Sequence, residues 1–92
     1  MNVKEELESQ IELMHALERL EQNEDFKNVI LNKYLHDFCI DEVKLSTYLN
    51  QDQHYHLARA GATGYFQQYL DSIKTQGIQA EKDLEYFLNE GI

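Results

Sequence analysis

Val3, Leu7, Ile11, Met14, Leu17 and Leu20 recur at steps of three and four residues through a run of strong helix formers that holds neither Gly nor Pro. That spacing is the repeat of an α-helix, and a strand would scatter the same side chains over both of its faces. An amphipathic helix is therefore predicted from Asn2 to about Gln22, with Glu5, Glu8, Glu12 and Glu18 on its other face. At about 1.5 Å per residue it extends roughly 30 Å. That is long for a chain of 92 residues. The narrow stripe suits ordinary packing in a bundle, with a coiled-coil-like seam as the alternative.

Helical signals continue downstream. Asn23-Glu24-Asp25-Phe26 reads as a helix start, Asn23 capping free NH groups and the two acids meeting the positive end of the helix dipole. Phe26, Val29, Ile30, Tyr34, Leu35 and Phe38 then share a broad face, the expected centre of a core packed against Leu13, Leu17 and a fourth helix. This second helix is expected to end near Cys39, with Asp41 capping a short third helix from Glu42 to Leu49; a helix running through is the alternative.

After the polar Asn50-Gln51-Asp52-Gln53, a helical pattern resumes through Tyr55, Ala58, Ala62, Tyr65, Phe66, Tyr69 and Ile73. Gly61 and Gly64 each cost that helix about 1 kcal/mol relative to Ala, so they permit a close backbone approach or mark a break. Lys74, Gly77 and Ile78 compose a Schellman stop, beyond which Ala80, Leu84, Phe87 and Leu88 suit a short terminal helix that must dock to be stable. The expected fold is all-α: one domain, a small helical bundle with a long N-terminal amphipathic helix (1–22), a helical core (23–78) and a short acidic C-terminal helix or tail (79–92).

Charge narrows the function. Asp and Glu number 17 against 8 Lys and Arg, a formal charge of −9, with 42% hydrophobic residues. The acids crowd both ends while the middle is balanced. Nucleic-acid phosphates and anionic lipid both call for clustered Lys and Arg, and this chain has no such cluster. No apolar stretch approaches the length of a membrane span, and Glu5, Glu6 and Glu8 oppose a secretory signal, so the chain reads as intracellular. Its single cysteine, Cys39, has no partner for an intrachain disulfide.

Four histidines and one cysteine raise the question of a metal. His36 and Cys39 stand three apart; His54 and His56 flank Tyr55 and, on a continuous helix, point to different faces. No metal, cofactor or catalytic residue is expected, because phosphate loops, Ser-His-Asp order and zinc-finger spacing are all missing from the sequence. Cys39 reads as a small hydrophobe at the end of an apolar helix. The aromatic residues point elsewhere. Tyr48, Tyr55, Tyr65, Phe66 and Tyr69 concentrate in the second half, where core packing and a partner-binding face are both open readings. The candidate partner-binding residues are Leu7, Ile11 and Met14 on the first helix and Tyr65, Phe66 and Tyr69 on the fourth.

Ala16-Leu17-Glu18-Arg19-Leu20, Asn23-Glu24-Asp25-Phe26-Lys27 and Val29-Ile30-Leu31 together resemble a group of short, mostly uncharacterised bacteriophage proteins, as do Ala60-Gly61-Ala62, Tyr69-Leu70, Ile73, Gly77 and Ala80-Glu81-Lys82. The likeness spans roughly residues 3 to 85. It departs at Cys39-Ile40-Asp41 and Ser46-Thr47-Tyr48, where that group has a continuous helix rich in Ala, Val and Leu. The resemblance implies a phage origin among virion genes and a place in the virion or the host cytoplasm; it supplies no catalytic residues. The expected function is a non-enzymatic interaction protein that self-associates or docks on a larger phage structural protein. The alternative is an acidic host-takeover inhibitor that mimics nucleic acid or binds a basic host protein.

Overall fold

The computed structural model describes residues 2–50 and 52–90, and every regular element among them is helical. The elements are α1 (Val3–Glu21), α2 (Glu24–Phe26), a π-helical segment (Lys27–Phe38), α3 (Cys39–Leu45) and α4 (Gln53–Asn89). They gather into two compact units, one of α1 with α4 from Leu70 onward, the other spanning Glu21–Tyr69.

Three helix starts use one device. The side-chain oxygens of Asn2, Asn23 and Asp52 accept hydrogen bonds from the backbone NH of Glu5, Phe26 and Tyr55 at 2.8, 3.0 and 3.0 Å. Each satisfies an amide that has no partner within its helix. The Asn23 cap lies where the sequence predicts it.

From Glu24 the helix runs through to Leu45, because Phe26, Lys27, Phe38 and Cys39, which join its segments, all keep right-handed helical dihedrals. Asp41 therefore caps nothing: it is an exposed interior residue of α3, and the separate third helix from Glu42 to Leu49 does not form. An interior Asp costs a helix only about 0.7 kcal/mol or less, and neither Gly nor Pro stands nearby to enforce a break. Termination comes later. Ser46 Oγ donates to the Val43 carbonyl at 2.6 Å and Thr47 Oγ1 to the Lys44 carbonyl at 2.7 Å, the latter also accepting from the Thr47 backbone NH at 3.1 Å.

Phe26, Ile30, Tyr34 and Phe38 are spaced by four. In an α-helix each such step overshoots a full turn by about 40°, so the four would wind off any single face. The wider π winding, with bonds reaching five residues along, leaves each such step short of a full turn instead, so the four still drift around the helix. None of the four is fully buried, and Val29, expected beside them, is exposed.

In the first unit the buried positions are Met14 and Leu17 of α1 and Leu70, Ile73, Gly77 and Ala80 of α4. Their spacing of three and four residues is that of a coiled-coil seam, narrow enough to leave Leu13 51% exposed rather than in the core. Gly77 does not stop α4. A Cβ built there would lie 2.6 Å from Met14 Sδ and 2.9 Å from Met14 Cγ, so this glycine exists to let Met14 seat against the helix backbone. The helix continues to Asn89, and the short separate C-terminal helix is replaced by the second half of α4.

In the second unit the helical run up to Leu45 and the first half of α4 lie antiparallel. Tyr34 meets Phe66, Cys39 Sγ approaches the Ala60 carbonyl, Glu42 bonds His56, and the Ser46 carbonyl accepts from Gln53, partners receding along one helix as they advance along the other. Gly61 and Gly64 neither break α4 nor admit a neighbour, since a Cβ at either would have no such heavy atom within 4 Å.

Candidate protein-interaction site

The inner face of α4 in the second unit is polar at its N-terminal end. His56 Nδ1 donates to Glu42 Oε2 at 2.5 Å, and Arg59 Nε donates to Glu42 Oε1 at 3.0 Å, so one buried carboxylate uses both oxygens. Arg59 Nη1 also donates to Tyr55 Oη at 2.7 Å, and its guanidinium lies 4.9 Å from the Phe38 ring centre and 5.0 Å from that of Tyr55. Such contacts hold a cation between its carboxylate and two aromatic faces. The His56 hydrogen bond, with help from Arg59, holds the Glu42 carboxyl below the usual carboxylate range against the opposing effect of burial. The Glu42 hydrogen bond in turn raises Arg59 above its ordinary value.

This cluster is fully engaged in pairing two helices. Glu42 has one oxygen bonded to His56 and the other to Arg59. His54 is exposed on the other side of the helix from His56. His36 Nδ1 bonds Asp37 Oδ1 at 2.8 Å and, together with Lys33, holds that carboxyl below its usual range. Among the described residues no group of three or more His, Cys, Asp or Glu is placed to hold a metal ion, and no helix is long and apolar enough to cross a membrane. An open cavity of about 270 Å³ beside the α3–α4 connection is lined by Ser46, Thr47, Tyr48, Leu49 and Gln53, with no carboxylate, imidazole or amine among them.

The outer face of the same half of α4 is apolar and open. Tyr55, Ala58, Ala62, Tyr65 and Tyr69 follow one another at steps of three and four residues, and all are exposed; the tyrosines are 52%, 75% and 58% accessible. From Gln53 to Leu70 the chain contains no Asp or Glu, although its formal charge is −9.

The six sequence-selected residues divide between the units. Leu7 and Ile11 are half-buried, and Met14 is buried against Gly77 within the chain. Phe66 turns inward, its ring 6.0 Å from that of Tyr34 and edge-on at 82°, while Tyr65 and Tyr69 face solvent. A step of one residue rotates about 100° around a helix, which separates Phe66 from its neighbour Tyr65. The Glu42–His56–Arg59 cluster escapes sequence reading because its members come from two helices. The step of four from Tyr55 to Arg59 is its one local signal.

No protein-family model, curated protein or solved structure matches the chain.

Proposed function

We propose that this chain is a non-enzymatic interaction protein, a small bacteriophage component associated with the virion or its assembly, which presents the outer face of α4 to a protein partner. The observation that carries the reading is the exposure of Tyr65 and Tyr69 on an acid-free stretch of a strongly acidic chain. Tyrosine brings large amphipathic area at little entropic cost, the property that enriches it in protein interfaces. The Glu42–His56–Arg59 cluster, with Glu42 and His56 buried, supports the same reading as a fastener, fixing the helix that carries the face. The phage assignment rests on the resemblance in the Ala16–Leu31 and Ala60–Lys82 regions.

A second reading has its own observation: Glu5, Glu8 and Glu12 are exposed at steps of three and four on α1. An acidic host-takeover inhibitor would meet a basic host protein there. Peptide mass spectrometry of purified particles of the encoding phage separates the two. The interaction reading expects the chain in particles or assembly intermediates at reproducible copy number. Absence from both, with recovery on a basic host protein through the α1 carboxylates, would replace it.

A further inference from the structure

We infer that the partner of the α4 face is a second copy of this chain, with the two α4 helices antiparallel about a two-fold axis across Ala58, Ala62, Tyr65 and Tyr69. The inference rests on the interaction reading above and names its partner. These residues stand at steps of four, three and four, so they line one seam along about 16 Å of helix. In an antiparallel pair, facing positions advance on one helix as they recede on the other. The register that sets Ala62 opposite Tyr65 of the other copy therefore also sets Ala58 opposite Tyr69. Symmetry repeats both pairings. Every tyrosine then meets an alanine, a large side chain in a small gap, as dense packing demands. A parallel pairing would stack tyrosine on tyrosine and leave alanine facing alanine across a void.

Charge favours the same occupant. Two chains at −9 repel, yet over Gln53–Leu70 the only fixed charge is Arg59, already bonded to Glu42. Two copies can approach along this stretch without setting carboxylate against carboxylate. Gly61, exposed beside the seam with open space where its Cβ would stand, lets the helix backbones come close. At about 200 Å² per aromatic side chain, covering Tyr55, Tyr65 and Tyr69 removes roughly 370 Å² per copy, and the small residues add to that. Over both copies the rings contribute about 740 Å², below the ~1,200 Å² of a standard specific interface, so the dimer is weak, reversible and concentration-dependent.

Sedimentation velocity on the full chain tests this. The wild type should pass from monomer at low micromolar to dimer at several hundred micromolar concentration. Ala62→Glu and Tyr65→Lys, both at exposed positions, should each remain monomeric with unchanged far-ultraviolet circular dichroism. An equimolar mixture should recover the dimer, because the antiparallel register places the new Glu directly opposite the new Lys. A wild type that stays monomeric, an Ala62→Glu variant that dimerises like the wild type, or a mixture that fails to recover would each overturn the pairing. The interaction reading falls separately, on the chain's absence from particles and assembly intermediates.

Discussion

Met14 lies over Gly77 so closely that a Cβ on the glycine would stand 2.6 Å from the methionine sulfur. Replacing Gly by Ala within a helix ordinarily stabilises by about 1 kcal/mol, while overpacking costs about 1 to 3 kcal/mol. Met14 Cβ is itself among the crowded atoms, and a side-chain rotation cannot move it away. Gly77→Ala should thus destabilise, by about 1 to 2 kcal/mol in urea unfolding. Gly61→Ala and Gly64→Ala, with open space at both sites, should each stabilise by about 0.5 to 1 kcal/mol. A stabilised Gly77→Ala variant would contradict the packing.

Leu13 and Leu17 offer a second contrast on α1, the first 51% exposed and the second 5%. Leu17→Ala should cost about 2 to 5 kcal/mol and Leu13→Ala under about 1 kcal/mol, read from denaturant midpoints. Equal losses would mean that α1 is rotated from the orientation described.

Helix caps give a third. Asn23→Ala and Asp52→Ala each remove a bond to a backbone NH and should each cost about 1 kcal/mol. Asp41→Ala, inside α3, should change stability by no more than about 0.5 kcal/mol. A loss at Asp41 as large as those at Asn23 and Asp52 would restore a break in the helix there.

Glu42 predicts the response to acid. Its carboxyl is held below the ordinary value chiefly by the His56 hydrogen bond, so the folded chain binds this proton less readily than the unfolded chain. The resulting stabilisation is complete above about pH 4.3 and drains away as pH falls from there through the lowered folded value. Thermal unfolding of Glu42→Gln should show a lower midpoint at neutral pH and a flatter decline on the acid side. An acid limb identical to the wild type would remove Glu42 from the account.

Much of the helical content is legible in the sequence because it is written locally. The stripe on α1 follows from spacing and propensity, and Asn23 from its position before an apolar run. Long-range packing is what local signals miss. Gly77 bears every mark of a helix stop, yet the methionine that explains it lies on α1, far away in sequence. Asp41 resembles a cap, but a cap requires the chain to leave the helix, and nothing there makes it do so. Glu42, the expected first residue of a third helix, instead spans to His56 and Arg59 on α4. The surplus of aromatic residues is visible in the sequence; which of them face inward emerges only once Tyr34 is seen to claim Phe66 and leave Tyr65 and Tyr69 in solvent.

The claim that two copies of the chain meet across the outer face of α4 is tested most directly residue by residue. Amide chemical shifts of isotopically labelled chain, followed as unlabelled chain is added, should move at Ala58, Ala62, Tyr65 and Tyr69 and stay fixed at Glu5, Glu8 and Glu12 on α1. Shifts confined to the α1 carboxylate face, or no movement anywhere up to several hundred micromolar, would contradict it.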